Sequence, residues 1–172
     1  MADSKHMQEL DAIFNPRNIA IIGASAKPGI GNQVLKNLID GGYTGQLYPI
    51  NPKGGEILGR KAFANINDVP GEVDMAVFCV PEVACAAVAA DCAKKKVKAY
   101  VVITSGYSEV GNKAGEEALV KMAKESGGRV VGPNIVGVLM NSCKANASFA
   151  PCLPYPGKTA LILSHRNQQV LY

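Results

Sequence analysis

The sequence predicts an α/β fold: a Rossmann-like, doubly wound sheet that is mainly parallel. Short apolar runs alternate along the chain with amphipathic segments, and such strand–helix alternation with short links favours right-handed crossovers. Most of the runs are continuous, which is typical of parallel strands that are covered on both faces. A glycine-rich turn also follows the first run, as in nucleotide-binding βαβ units. Six strands are expected, over residues 19–23, 46–50, 75–80, 99–104, 129–132 and 159–163.

Three helices are expected between these strands, over residues 33–40, 82–94 and 113–125. Their apolar side chains recur at helical spacing, and glycine pairs end the first and the third helix. The residues expected to face the core are Val34, Leu35, Leu38 and Ile39 in the first helix, Val83, Ala87, Val88 and Cys92 in the second, and Ala114, Ala118, Leu119 and Met122 in the third. Residues 54–69 hold turn residues and two short apolar pieces, so we expect a loop with a minor strand and one turn of helix.

The composition is that of a globular protein, and it excludes several classes of function. The 172 residues are 48% hydrophobic and 19% charged, with a formal net charge of +4. No stretch reaches the roughly 18 apolar residues of a membrane span, and the N-terminus lacks the apolar core of a signal peptide. Lysine and arginine form no long stripe with interleaved aromatic residues. We therefore expect no membrane partner and no nucleic-acid partner.

The cysteines favour a cytoplasmic location. Their number is odd and their positions are scattered, which is typical of buried free thiols in a reducing compartment. No C-x-x-C spacing occurs, and the two histidines, His6 and His165, lie far from any pair of cysteines, so no metal site is expected. The five cysteines are Cys79, Cys85, Cys92, Cys143 and Cys152.

The domain organisation is expected to have four parts. Residues 1–8 form an N-terminal segment without a fold, or a remnant of a tag, and residues 9–147 form the Rossmann-like domain. Residues 148–158 contain three prolines and a glycine, a composition typical of a linker. Residues 159–172 would begin a second, incomplete domain or form a divergent tail.

The turn after the first strand is a candidate phosphate site. Gly23 lets the backbone turn tightly, and Ser25 offers a hydroxyl and an amide near the start of the first helix. The unpaired amides and partial positive charge of a helix N-terminus favour a pyrophosphate group. The spacing differs from G-x-G-x-x-G, and a turn of this kind also serves simply to reverse the chain.

The second strand ends differently from that of an NAD site. Asn51, Pro52 and Lys53 follow it, where an NAD-binding fold has an acid that holds the ribose hydroxyls. Proline fixes the direction of the chain, and a lysine beyond it can reach a phosphate on a ribose. That phosphate would be the 2′-phosphate of NADP or the 3′-phosphate of coenzyme A, unless Lys53 is only an exposed turn residue.

Three further strand ends complete the predicted crevice. Val80 and Pro81 follow the third strand, and Pro81 suits the start of a helix and an apolar wall beside a base. Thr104 and Ser105 follow the fourth strand, and Gly132-Pro133-Asn134 follows the fifth. Ligands of such sheets bind at the carboxyl ends of the strands, near the switch in strand order. The five ends together therefore predict a ligand cleft.

These motifs, in this order, resemble the N-terminal CoA-binding domain of ADP-forming acyl-CoA synthetases. Acetyl-CoA synthetase (ADP-forming) typifies that family, and the succinyl-CoA synthetase α subunit is a more distant relative. The similarity extends over about residues 9–164, nearly the whole chain. The stretches that carry it begin at Phe14, Gly23, Pro49, Asp74, Gly106 and Gly132.

The resemblance implies coenzyme A, or an acyl-CoA, as the ligand. Residues 25–27 match the turn that contacts the CoA phosphates, Lys53 matches the lysine at the nucleotide, and residues 80–81 match the segment beside the adenine. The Gly-Pro-Asn turn at residues 132–134 is expected to be architectural. The full set of expected cofactor-binding residues is Gly23, Ser25, Ala26, Lys27, Pro28, Asn51, Pro52, Lys53, Val80, Pro81, Ile103, Thr104 and Ser105.

The chain departs from the family after Ser164. Relatives continue there as Ser-x-Ser-Gly, whereas this chain has His165 and Arg166. The complete enzyme converts acyl-CoA, ADP and phosphate into acid, CoA and ATP through a phosphohistidine in a later domain, and His165 is not that residue. The resemblance therefore implies partner domains or a subunit that supply catalysis and the ATP-grasp fold, with an oligomer possible. The isolated chain is expected to bind CoA without catalysing, and no catalytic residue is assigned.

Two alternatives of a different class remain open. One is a CoA-sensing regulatory module, or the front domain of a protein lysine acetyltransferase. The other is a fragment of an NADP-binding oxidoreductase, which Lys53 favours over an NAD-binding one. Glu109 is the one acidic residue between Gly106 and Gly111. We expect it either to orient the neighbouring backbone or to be solvated at the surface.

Overall fold

The computed structural model describes residues 10–157. Within them the chain forms nine strands, namely β1 (Asn18–Ile22), β2 (Gln46–Ile50), β3 (Glu56–Ile57), β4 (Arg60–Lys61), β5 (Met75–Phe78), β6 (Ala99–Val102), β7 (Arg129–Val131), β8 (Gly137–Met140) and β9 (Ala145–Ser148). Three helices of eleven or thirteen residues accompany them, namely α1 (Ile30–Asp40), α2 (Glu82–Lys94) and α3 (Lys113–Glu125). Residues 10–14 are helical as well.

The centre of the molecule is a five-stranded parallel sheet with the order β2-β1-β5-β6-β7. In β1, Ile19 and Ile21 belong to the hydrophobic core on one face, and Ala20 and Ile22 belong to the core on the other. This two-sided burial explains why the strands are continuous apolar runs. The predicted doubly wound, mainly parallel α/β sheet is confirmed.

Helix α1 and the antiparallel β8–β9 hairpin cover the first face. The predicted residues Val34, Leu35 and Leu38 of α1 are buried in that core, together with Met140 and Ala147 of the hairpin. The sequence analysis did not predict this hairpin, which takes the place where a second helix would be expected on this face.

A buried asparagine fastens the hairpin to α1. Asn37 is only 6% exposed, and its Nδ2 donates to the carbonyl oxygens of Ser148 at 2.8 Å and Ala150 at 2.7 Å. Its Oδ1 accepts from Gln33 Nε2 at 2.7 Å. The end of β9 is therefore held by a side chain of α1 in addition to its pairing with β8.

Helices α2 and α3 cover the second face, with two corrections to the predicted helix faces. The buried residues of α2 are Cys85, Ala89 and Cys92, whereas Val83 is 87% exposed and Ala87 is exposed too. Small apolar residues occur on nearly all sides of this helix, so the sequence pattern did not indicate which face is buried.

Helix α3 buries Leu119 as predicted, but its other buried residues are Ala123 and Glu116. Ala114 and Ala118, which were expected in the core, are exposed. Hydrogen bonds from the backbone amide and the hydroxyl of Ser108 to the carboxylate of Glu116 offset the cost of burying it. A carboxylate in the first turn of a helix is also favoured by the helix dipole.

The segment from 54 to 69 has the predicted character of a loop with a minor strand and a turn of helix. Strands β3 and β4 form a short antiparallel hairpin, and Ile66–Asp68 form a 3-10 turn. Phe63 follows the edge of β2: its amide donates to Pro49 O, and its carbonyl accepts from the amide of Asn51. The insertion therefore supports the carboxyl end of β2.

The strands end one or two residues earlier than predicted, at Ile22, Phe78, Val102 and Val131. Residues 79–81 and 103–105 therefore lie in loops. The predicted linker begins at Ser148, which is the last residue of β9, and residues 149–157 form neither helix nor strand. The predicted N-terminal segment 1–8, the strand at 159–163 and the tail to residue 172 lie outside the described residues. Between residues 10 and 157, no helix has both the length and the apolar character needed to cross a membrane.

Candidate functional site

The strand order places the candidate site between β1 and β5. The chain leaves β1 towards α1 on one face of the sheet and leaves β5 towards α2 on the other face. Such a switch point opens a crevice at the carboxyl ends of the two strands. Residues 23–29 and 79–81 flank this crevice, with residues 51–54 beyond β2 and 103–105 beyond β6. The predicted site residues are thus brought to one edge of the sheet.

The turn at residues 23–29, called the Gly23 turn below, depends on close backbone contacts. Gly23 has a φ of +84°, and a Cβ there would lie 2.7 Å from the carbonyl oxygen of Cys79. A Cβ on Gly31 would lie 2.1 Å from the carbonyl oxygen of Gly23. Only glycine permits these approaches, which bring α1 directly onto the end of β1.

The N-terminus of α1 begins at this turn without a side-chain cap. Gly29 is the cap residue, its carbonyl accepts the first helical bond from the amide of Gln33, and the first turn contains no acid. The amides of Ile30, Gly31 and Asn32 therefore have no partner within the helix. Together with the positive end of the helix dipole, they form a suitable environment for a phosphate group.

Ser25 shapes the turn with its side chain. Its Oγ accepts a hydrogen bond from the amide of Lys27 at 2.9 Å, and its carbonyl accepts from Asn32 Nδ2 at 2.8 Å. Ala26, Lys27 and Pro28 are exposed. The sequence analysis missed Asn32, although a polar residue in the first turn of the helix is a signal that could have identified it.

The turn at residues 51–54, called the Asn51 turn below, is joined to the Gly23 turn by one side chain. Asn51 Nδ2 donates to the carbonyl of Ala24 at 2.8 Å, and Asn51 Oδ1 accepts from the amide of Lys53 at 2.9 Å. The amide of Gly54 closes the turn on the carbonyl of Asn51 at 2.8 Å. Pro52 and Lys53 are exposed on this turn.

The loops after β5 and β6 are also joined to each other. Thr104 Oγ1 donates to the carbonyl of Val80 at 2.7 Å, and Pro81 is the residue from which α2 starts. Ile103 is only 5% exposed and packs in the core, whereas Ser105 is exposed. Of the predicted set in these two loops, Pro81 and Ser105 therefore present the most open surface.

The loop that follows Ser105 is held by hydrogen bonds that were not predicted from the sequence. Asn112 Nδ2 donates to Glu82 Oε1 and to the carbonyl of Gly106, each at 3.1 Å. Glu109 Oε1 accepts from the amide of Gly106. Glu109 thus orients neighbouring backbone, the first of the two roles considered for it.

The charges of the Gly23 and Asn51 turns favour an anion. The stretches 23–32 and 51–55 contain Lys27 and Lys53 and no acid. Cys79 lies beside Gly23, and burial raises the pKa of its thiol to about 12, so the thiol is neutral at physiological pH. Among the residues that the structure describes, no three His, Cys, Asp or Glu side chains are grouped so that they could hold a metal ion.

The fold and the crevice define a nucleotide-binding domain of the Rossmann-like class. A family model described as "CoA binding domain" matches residues 17–141, and the chain belongs to that family. Coenzyme A is therefore the molecule that the domain binds. The donor set suits it, because an uncapped helix N-terminus and a lysine after β2 match a ligand with a pyrophosphate and a ribose phosphate.

The chain is similar to two acetate–CoA ligases over almost its whole length. The chain is 48% identical over 160 residues to the α subunit of acetate–CoA ligase (ADP-forming) I from Pyrococcus furiosus, covering 89% of this chain and 35% of that subunit. It is 41% identical over 155 residues to acetate–CoA ligase (ADP-forming) from Methanocaldococcus jannaschii, covering 90% of this chain and 22% of the relative.

The chain also resembles a solved structure of an acetyl-coenzyme A synthetase. The dinucleotide-forming acetyl-coenzyme A synthetase 1 of Ca. Korarchaeum cryptofilum, in complex with phosphate and ADP, superposes with a TM-score of 0.81 at 48% identity. The match covers 83% of this chain and 31% of that one. The chain thus spans about a third or less of the length of these three proteins.

Proposed function

We propose that this chain is the CoA-binding part of an ADP-forming acyl-CoA synthetase and that it binds CoA in the crevice between β1 and β5. The observation that supports this location most strongly is the uncapped, acid-free start of α1, together with the lysine-bearing Asn51 turn, which is hydrogen-bonded to the Gly23 turn that precedes the helix. The similarity to acetate–CoA ligases supports the reaction class.

Each part of CoA has a matching group in the proposed site. The pyrophosphate would lie at the Gly23 turn and the first amides of α1, where helix charge and Lys27 favour an anion. The 3′-phosphate would meet Lys53 on the Asn51 turn. Val80 and Pro81 would form an apolar wall beside the adenine, and residues 103–105 would border the remainder of the ligand.

Catalysis in this proposal belongs to parts of the enzyme that the described residues do not contain. Those parts would supply the phosphate-carrying histidine and the ATP-grasp fold, in the same polypeptide or in a partner subunit, with further association of copies possible. The isolated chain would bind and release CoA without turnover. The five cysteines are free thiols in this structure, which supports the proposed cytoplasmic location.

The location of the site is tested by calorimetric titration of the chain with CoA. Ser25→Trp should abolish detectable CoA binding, because an indole would fill the Gly23 turn, while the unfolding midpoint stays close to that of the wild type. Ser142→Trp is the matched control, since Ser142 is exposed in the turn of the β8–β9 hairpin, away from the crevice. Unchanged CoA affinity in Ser25→Trp would move the site elsewhere.

The choice of nucleotide is tested at Lys53. Lys53→Ala should weaken CoA binding by roughly 10- to 150-fold and leave dephospho-CoA binding nearly unchanged, because a charged hydrogen bond contributes roughly 1.5–3 kcal/mol. Lys121→Ala, which removes an exposed lysine from α3, serves as the charge-matched control. Equal losses for CoA and dephospho-CoA would contradict the role of Lys53, and tight binding of NADP by the wild type would favour an oxidoreductase fragment.

A further inference from the structure

The side chain of Asn51, a residue expected to bind the cofactor, is hydrogen-bonded to main-chain groups in the structure. Both ends of its amide are already engaged with main-chain groups, at 2.8 Å to the carbonyl of Ala24 and at 2.9 Å to the amide of Lys53. The two partners belong to different loops, one after β1 and the other after β2. One half-buried side chain therefore connects the two turns that would hold the two ends of a nucleotide.

We infer that Asn51 is a positioning residue that sets the distance and orientation of Lys53 relative to the Gly23 turn, and thereby determines selectivity for nucleotides with a phosphate on the ribose. This inference rests on the proposed function, because it assigns the 3′-phosphate to Lys53. It gives Asn51 a role through the backbone of its neighbours and assigns it no contact with the ligand.

The two hydrogen bonds have separable effects. The bond from Lys53 N to Asn51 Oδ1 is an Asx turn, which fixes the backbone from which the lysine side chain starts. A long side chain that starts from a fixed backbone loses less entropy when its ammonium meets a phosphate. The bond to Ala24 O engages a carbonyl oxygen of the Gly23 turn that would otherwise be free to turn its partial negative charge towards a bound pyrophosphate.

The test measures affinities of the full chain for CoA and for dephospho-CoA, and compares their ratio among variants. Asn51→Ala should lower overall affinity and reduce the CoA preference by about fivefold, less than Lys53→Ala because the charge remains. In a double variant that combines Asn51→Ala with Lys53→Ala, the preference for CoA over dephospho-CoA should equal that of Lys53→Ala alone, because Asn51 acts through that lysine.

Asn51→Ser separates the two bonds. A serine hydroxyl can accept from the amide two residues later, as Ser25 does from Lys27, but it is too short to reach Ala24. This variant should therefore regain most of the CoA preference while overall affinity stays low. A preference in Asn51→Ser as weak as that in Asn51→Ala would contradict the role assigned to the Asx turn.

The chain also contains a matched control. Asn65 makes a comparable pair of bonds elsewhere: its Oδ1 accepts from the amide of Asn67 at 2.8 Å, and its Nδ2 donates to the carboxylate of Asp91, rather than to a carbonyl, at 2.7 Å. Asn65→Ala should cost similar stability in urea unfolding and leave the ratio of CoA to dephospho-CoA affinity unchanged. If Asn51→Ala left the ratio unchanged, or if Asn65→Ala altered it equally, the inference would be wrong. Absence of CoA binding in the wild type would instead refute the proposed function itself.

Discussion

Gly31 is the single residue on which the geometry of the crevice depends most directly. Its Cα faces the carbonyl of Gly23 so closely that a methyl group cannot be placed between them. The contact brings the first amides of α1 to the end of β1, where the proposed pyrophosphate site lies. A side chain here would separate the helix from the strand, although alanine is otherwise the best helix former.

Gly31→Ala should therefore lower the free energy of unfolding by about 1–3 kcal/mol and also weaken CoA binding, because the backbone of α1 has to move to relieve the overlap. The measurements are urea unfolding and calorimetric titration. Lys36→Ala, on the exposed side of the same helix, should change stability by about 0.5 kcal/mol or less. A Gly31→Ala variant with wild-type stability and affinity would show that the helix start adapts without cost.

At the residue scale, the sequence predicted candidate site residues but not the main-chain groups to which their side chains bond. Ser25, Asn51 and Thr104 were expected at the site because they follow the carboxyl ends of strands, where such sheets bind their ligands. In the structure all three make hydrogen bonds to main-chain groups. Short polar side chains satisfy a nearby backbone as readily as a ligand. The main-chain partners of Asn51 and Thr104, Ala24 and Val80, lie more than twenty residues away, so local patterns could not identify them.

At the scale of elements, the five strands of the central sheet and the three helices were predictable because their apolar runs are long and clearly bounded. The β8–β9 hairpin was not predictable. Strand β9 has the sequence Ala-Asn-Ala-Ser, which has low intrinsic preference for strands. It forms a strand because Asn37 and the core of the first face fix its backbone, and such tertiary contacts leave no periodic signal in the sequence.

Asn37→Ala should release the end of this hairpin. The change removes the side-chain donor to the carbonyl of Ser148 and one of the two side-chain donors to that of Ala150, the other being Asn146. It also removes a buried side chain, so we expect a loss of about 1–3 kcal/mol. Hydrogen exchange should rise in β9, and proteases should cut sooner within residues 149–157. Gln33→Ala removes only the bond to Asn37 Oδ1 and should have a much smaller effect. Unchanged exchange in β9 would mean that the core contacts suffice.

At the scale of the whole molecule, stability should depend on pH mainly in alkaline solution. Burial raises the pKa of Cys79 to about 12 and raises the pKa of Cys92 as well, from an ordinary value of 9.0. Burial also raises the pKa of Tyr43 above its ordinary value of 10.0. In the unfolded chain these groups lose their protons from about pH 9 upwards, while in the folded chain they keep them. The stability of the folded protein is therefore fully retained below about pH 9 with respect to these groups. It falls progressively as the pH rises towards their pKa values in the folded state.

The free energy of unfolding should fall by about 1 kcal/mol for each of the thiols of Cys79 and Cys92 per pH unit above 9. Urea unfolding between pH 7 and 10.5 measures this slope. Cys92→Ala should make the slope shallower, because it removes one buried thiol, whereas Cys152→Ala should not, because Cys152 is exposed. A slope that is the same in all three proteins would assign the alkaline loss to other groups.

The position of β1 between β2 and β5 has a consequence for how the crevice comes into existence during folding. Ile19 pairs with Leu47 on one side and with Met75 on the other, so both neighbours are distant in the chain. The carbonyl of Cys79, against which Gly23 packs, is fixed only when β5 has joined the sheet. A nascent chain that has not yet added β5 therefore has a glycine-rich segment but no crevice. Because the ligand can bind only the assembled state, CoA would select completely folded molecules and shift the folding equilibrium towards them.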